Sequence, residues 1–214
     1  MPIINVEQFD RDTKILIWHI LENDLFFIEK LLPQFREKRN WEDMRPKRKS
    51  EWLASRYLLQ LGLPSGLRVK DLTKDEYGCP YLPKEKIFCG ISHTENYTAV
   101  VLSKNRVGCD IERFKPKIKR IASKFLTDNQ LEWVQGDKEL AKMHLIWGIK
   151  ESAFKTWGKR NIDWKRDILI DPIKSVDYRG EISGQIGSQQ VEKITYFGHY
   201  LYHPQFVFVW TKET

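Results

Sequence analysis

Cysteine is scarce in this chain, with only Cys79, Cys89 and Cys109 among 214 residues. They make no C-x-x-C pair and no zinc-ligand spacing, and an odd count leaves one thiol over. Both a disulfide-stapled secreted scaffold and a structural zinc module are therefore excluded, a reduced cytoplasmic setting is expected, and no redox role is assigned. Apolar runs of membrane-spanning length are missing too. The start, Met1-Pro-Ile-Ile-Asn-Val-Glu7, lacks the basic-then-apolar layout of a secretory signal. There is no low-complexity stretch, Gly/Ser linker or alignable internal repeat, so close packing without independent modules is expected.

What remains is an ordinary globular composition, 41% hydrophobic, 13% aromatic and 30% charged, which excludes disorder. Eight tryptophans indicate well-filled interfaces between elements. The formal charge of +7 draws polyanions or acidic partners at long range. Much of it lies in Arg36, Lys38, Arg39, Arg45, Lys47, Arg48, Lys49 and Arg56, a run that on its own reads as a solvated face.

Periodicity and punctuation predict a strand over residues 14–20, helices over 24–32 and 47–61, and strands over 87–92, 97–103 and 106–112. Pro33, Gly62 and Pro64 punctuate the first part, and Asn105 is expected to turn a hairpin between the last two strands. Helices follow over 117–125, 128–134 and 138–157. A β meander over 168–173, 175–178, 181–186, 193–202 and 205–211 ends the chain, with turns at Arg179-Gly180 and His203-Pro204. The expected class is α+β, each half a small, mainly antiparallel sheet with packed helices, divided into residues 1–104 and 105–214.

Two short segments carry the chemistry. In Val107-Gly-Cys-Asp-Ile-Glu112, strand alternation sends Asp110 and Glu112 to one face and Cys109 and Ile111 to the other. In Trp147-Gly-Ile-Lys-Glu-Ser-Ala-Phe-Lys155, helical spacing stacks Trp147, Glu151 and Lys155 on one stripe. If the helix packs beside the strand, three carboxylates and a cation meet, an oxygen set that suits a hard divalent ion such as Mg²⁺ on a polyphosphate ligand. Taken singly, the same residues are a decorated strand and a helix ion pair of little energetic worth. Trp147 reads as core.

These segments resemble the two signature motifs of the 4′-phosphopantetheinyl transferases, specifically the longer, surfactin-synthetase-activator type. Further agreement comes from Ser50 to Leu59 (SEWLASRYLL), which resembles the arginine-bearing helix of that family, from Glu76-Tyr-Gly-Cys-Pro80, and from Ile91-Ser-His-Thr94. The resemblance spans roughly residues 45 to 157, and the chain length is typical of the type. It implies two similar α+β halves related by a pseudo-two-fold axis, with the substrate cleft between them and a complete site in a monomer.

The resemblance also implies roles. Asp110, Glu112 and Glu151 would bind Mg²⁺. Glu151 would be the base, directly or through a metal-held water. Lys155 would stabilise the departing adenosine 3′,5′-bisphosphate, and Lys150 would take a supporting phosphate or structural role. Arg56 would bind the 3′-phosphate of coenzyme A, with Arg45 and Lys49 as further candidates. His93, flanked by the hydroxyls of Ser92 and Thr94, would hold a phosphate. Two positions depart from the family pattern. Cys79 stands where a lysine or arginine is usual, leaving backbone and Pro80 packing against the adenine, and Gln130 stands where glutamate is common, with Asp128 and Glu132 nearby.

The expected activity is Mg²⁺-dependent transfer of 4′-phosphopantetheine from coenzyme A to a serine of an acyl or peptidyl carrier protein in fatty acid, polyketide or nonribosomal peptide synthesis. A silent homologue that binds carriers is the first rival. A basic nucleic-acid module is the second, disfavoured because no ribonucleoprotein motif is present and an acidic triad repels phosphates.

Overall fold

Residues rich in β-branched and aromatic side chains assemble two antiparallel sheets, of six and five strands. The structure, a computed structural model, describes residues 3–33, 41–63, 72–76, 78–159, 161–188 and 193–214, with side chains from Glu7 onward. Arg36, Lys38, Arg39, Pro64 and Tyr77, singled out above, lie outside the described residues. The chain divides into two compact units, Met1–Asn105 and Arg106–Thr214.

In the first unit, β1 (Ile3–Gln8), β2 (Thr13–His19), β3 (Thr73–Lys74), β4 (Pro80–Leu82), β5 (Ile87–Thr94) and β6 (Tyr97–Ser103) run in the order β1-β2-β6-β5-β4-β3. Every residue of β6 is buried, as its central position requires. Helix α1 (Asp24–Lys30) is capped by Asn23, whose side chain accepts from Phe26 N. Helix α2 (Pro46–Gly62) opens on a proline, where the missing N–H costs nothing. Its Leu53, Ala54, Leu58 and Leu59 pack with Leu16, Trp18, Leu82, Val100 and Leu102 into one core. That packing fixes the rotation of α2 about its axis and so decides which of its polar residues meet β5.

In the second unit, β7 (Val107–Arg113), β8 (Ile168–Ile170), β9 (Arg179–Ile186), β10 (Ile194–His203) and β11 (Phe206–Glu213) run in the order β7-β11-β10-β9-β8. A 3₁₀ helix (Pro116–Ile121) leads to α3 (Ala122–Phe125), α4 (Asp128–Val134) and the long α5 (Glu139–Trp157). Helix α5 ends where Gly158 takes φ of 73°, a left-handed turn that glycine adopts without strain, and donates to Phe154 O.

Helix α5 lies against β7 and β11 through small residues. Ser152 Oγ donates to Gly108 O at 2.9 Å, and Thr156 Oγ1 donates to Thr211 O at 2.9 Å. A Cβ on Gly108 would fall 2.2 Å from Ser152 O and 2.7 Å from Thr156 N, so only glycine permits this approach.

The expected hairpin at Asn105 does not form. Both edges of β6 are taken by β2 and β5, and β7 pairs with β11 instead. Arg179-Gly180 opens β9 and makes no turn. The glycine is there because the Tyr200 ring covers it, with Tyr200 Oη 2.6 Å from where a Cβ would stand. Residues 175–178 are not a strand. They are pinned by Tyr200 Oη, which donates to Ser175 O and accepts from Asp177 N, both at 3.2 Å. Residues 116–121 wind as 3₁₀ ahead of α3, and β1, β3 and β4 had no counterpart in the sequence reading.

Replacing Gly108 by alanine is expected to destabilise the protein by about 3 kcal/mol, because backbone is the clashing neighbour and cannot swing aside. Urea unfolding followed by tryptophan fluorescence checks this. A loss below about 1 kcal/mol would mean that the helix rides further from the strand than described.

Candidate active site

Alternation along β7 places Gly108, Asp110 and Glu112 toward α5, and the close approach at Gly108 brings the helix down onto the acids. Lys155 Nζ donates to Asp110 Oδ1 at 2.8 Å and to Cys109 O at 2.9 Å, and stands 3.9 Å from Glu151 Oε2. One ammonium thus spans a strand acid and a helix acid. Gly148, one turn before Ser152, keeps the helix open beside the strand acid: a Cβ there would lie 4.0 Å from Asp110 Oδ2 and 3.0 Å from Val209 Cγ2.

The electrostatics follow from this crowding. Burial, then repulsion from Asp110 and Glu151 against the pull of Lys155, pushes the Glu112 carboxyl up to about 7. Burial also raises Glu151, with Lys155 opposing and Asp110 adding to the rise. Burial works against the Lys155 ammonium, but attraction to Asp110 and Glu151 outweighs it and holds the lysine above its usual range.

Hard, negatively charged oxygens in mutual repulsion are the donor chemistry that Mg²⁺ prefers, so the residues suit that ion in kind. Their placement is not a closed cage. Among the described residues, no group of three or more His, Cys, Asp or Glu side chains is drawn together tightly enough to hold a metal. Here Lys155 bridges two of the acids.

Lys150 turns out to be structural in its contacts. Its side chain is fully buried and its Nζ donates to Trp164 O at 2.5 Å, while burial, opposed by Asp163, lowers it to about 8. Trp147 is half-buried. Its ring stacks on Trp164 at 5.2 Å and meets Phe125 edge-on at 5.1 Å, which fixes the helix stripe that carries Glu151. Trp147 also walls a hollow of about 430 Å³ bordered by Glu112, Lys115, Lys117, Arg120 and His144. Sequence reasoning missed this basic rim. Its signal was the run Lys115 to Arg120 directly after the acid strand.

His144 is held as the neutral tautomer with its proton on Nδ1, donating to Leu140 O at 2.8 Å while Nε2 accepts from Lys115 N at 3.2 Å. Burial keeps its pKa below the usual value. It thereby fastens the start of the basic run to α5.

Gln130 is spent locally, closing a capping box with Thr127 at the start of α4. Neither neighbouring acid that could substitute for the family glutamate is sheltered: Asp128 is exposed and paired with Lys165 at 3.2 Å, and Glu132 is exposed. Gln130 borders a separate, largely apolar hollow of about 460 Å³ with Trp133, Ile146 and Ile170.

In the first unit, His93 Nδ1 lies 3.1 Å from Glu51 Oε2 of α2. Glu51 had not been singled out. The Arg56 guanidinium lies over the Trp52 ring, 5.3 Å from its centroid. Lys49 sits 5.0 Å from the Trp41 ring centroid and 3.9 Å from Asp24, while Arg45 is exposed at the start of α2. Ser92 and Thr94 are buried neighbours of His93 in β5, but alternation sends their hydroxyls to the opposite face of the sheet. The three therefore do not make one donor pocket. Cys79 is buried, its N–H bound to Asp75 Oδ1 at 2.9 Å, and Pro80 opens β4 at the edge of that turn.

Both units of the chain match known families. Residues 106–202 match the 4′-phosphopantetheinyl transferase superfamily, and residues 36–103 match the 4′-phosphopantetheinyl transferase N-terminal domain. The chain belongs to the 4′-phosphopantetheinyl transferase family. It is similar to the 4′-phosphopantetheinyl transferase gsp of Aneurinibacillus migulanus, 33% identical over 113 residues, 51% of this chain and 46% of that one. It is also similar to the 4′-phosphopantetheinyl transferase of Bacillus subtilis, 31% identical over 88 residues, 39% of each chain. The matched stretches span less than half the length of these relatives.

The raised pKa of Glu112 makes a stability prediction. Its folded-state proton affinity exceeds that of the unfolded chain, so stability is present below about 4.5 and is lost as pH rises through about 7. Glu112→Gln should therefore melt higher than the parent at pH 8 without added metal, and the difference should vanish toward pH 4.5. Differential scanning calorimetry reads it, and an equal gain at both pH values would contradict the charge origin.

Proposed function

We propose that the protein transfers 4′-phosphopantetheine from coenzyme A to a serine hydroxyl of an acyl or peptidyl carrier protein, with release of adenosine 3′,5′-bisphosphate. The observation that carries this reading is the meeting of Asp110, Glu151 and the Lys155 ammonium at the contact of β7 and α5, with Glu112 one pleat along. Family membership and the names of the two relatives point the same way.

In this reading the carrier serine oxygen attacks the pantetheine-side phosphorus. The bond from that phosphorus to the bridging oxygen breaks, and the pair of electrons leaves with the bisphosphate. The serine proton passes to Glu151, directly or through a water held beside the metal. Lys155 offers fixed positive charge to the leaving phosphate without reorganisation, since its position is already set by Asp110 and the Cys109 carbonyl. Mg²⁺ held by Asp110, Glu112 and Glu151 would neutralise charge on the pyrophosphate. Arg56 and His93 of the first unit are assigned to coenzyme A phosphates, with Lys49 and Arg45 as outer cations. The basic rim of Lys115, Lys117 and Arg120 beside Glu112 complements an acidic carrier surface.

Incubating an apo carrier protein with this protein, Mg²⁺ and coenzyme A should add the mass of one phosphopantetheine group, and a chelator should prevent it. Glu151→Gln is expected to lower kcat by about 100-fold or more. Intact-protein mass spectrometry decides both. No mass gain on any of several carriers would overturn the reading, and full turnover by the variant would remove Glu151 from its role.

A further inference from the structure

Glu51 is drawn to His93 by the fold, since α2 is locked to the sheet by its apolar stripe and its first turns face the end of β5. The Glu51 side chain is 12% exposed and the His93 side chain 32% exposed, so the acid is the more sheltered of the two. An ionised carboxylate only accepts, so at 3.1 Å the proton between the two sits on Nδ1 of His93. That fixes what Nε2 can do. In a neutral ring it presents a lone pair, which repels a phosphate oxygen, whereas in the imidazolium it presents a second N–H donor.

We infer that Glu51 is the positioning residue of the phosphate site: it orients the His93 ring and stabilises its imidazolium form, so that Nε2–H is offered to an anionic oxygen of the substrate. This rests on the transferase reading, and it deepens it by adding a residue that contacts no substrate. Glu51 faces His93 from α2, Arg56 of the same helix lies over Trp52 and toward Cys89, and the β6 residue paired with His93 is the uncharged Thr98. Affinity for the anion is then present while the ring is protonated and is lost as pH rises through its midpoint. Without the Glu51 charge, that loss moves to lower pH.

The test uses the full chain and the variants Glu51→Gln, Glu51→Asp, His93→Ala and the double variant Glu51→Gln/His93→Ala. NMR of labelled histidine should show the His93 midpoint falling by about one pH unit in Glu51→Gln, with partial recovery in Glu51→Asp. Calorimetry with adenosine 3′,5′-bisphosphate at pH 7.5 should show affinity about tenfold weaker in Glu51→Gln, and less than about twofold further loss when the same change is made on His93→Ala. In turnover the change should appear in KM for coenzyme A and not in kcat.

An unmoved midpoint, an additive loss in the double variant, or a loss confined to kcat would each overturn the inference. If the parent protein transfers no phosphopantetheine, the transferase reading fails. The NMR and calorimetric arms still judge the Glu51–His93 pair by itself, because neither depends on turnover.

Discussion

One ammonium organises the second unit. Lys155 Nζ is shared by the Cys109 carbonyl and the Asp110 carboxylate, with Glu151 on its other flank. For that group to reach β7, the helix has to come within backbone contact of the strand, and the residues along the seam are correspondingly small: Gly108, Gly148, Ser152 and Thr156. The close approach gathers carboxylates more tightly than their own repulsion favours. Proteins commonly hold such unfavourable charge where chemistry is done and recover the stability elsewhere. Here the recovery comes from the apolar cluster on the same helix, in which Leu145, Ile149 and Ala153 pack with Tyr196, Tyr200 and Val209.

The first unit holds its charges by a different route. Its described cations are spread along α2, with Arg56 over Trp52 and Lys49 between Trp41 and Asp24. A guanidinium held over an aromatic face loses little freedom when it later meets an anion. His93 is paired with a more sheltered acid, Glu51. Supporting residues of this kind tune a side chain that meets a ligand without meeting the ligand themselves.

The parts of this arrangement that depend on local periodicity were legible in the sequence. Period two put Asp110 and Glu112 on one face, and the i, i+4 step put Glu151 over Lys155. Thr127 and Gln130 spell a capping box, which is why the limits of α4 agree with the expected 128–134. Pairings remote in sequence were not legible. Nothing near His93 announces Glu51, 42 positions earlier by their numbers. Nothing near Lys150 announces the Trp164 carbonyl that its buried ammonium reaches. Asn105 looked like a hairpin because a turn residue between two apolar strands is locally sufficient, whereas the edges of β6 were already claimed by β2 and β5. Grouping Ser92, His93 and Thr94 failed for a simpler reason: neighbours in a strand point apart, so adjacency in sequence is separation across the sheet.

The central claim is that the two strand acids and the helix acid beside Lys155 serve one divalent ion at the reacting phosphates. Anomalous scattering from crystals grown with Mn²⁺ and coenzyme A tests it most directly. The account predicts a metal peak in direct contact with carboxylate oxygens of Asp110, Glu112 and Glu151 and with a phosphate oxygen of the ligand. Coenzyme A bound with the metal placed away from those carboxylates would contradict it.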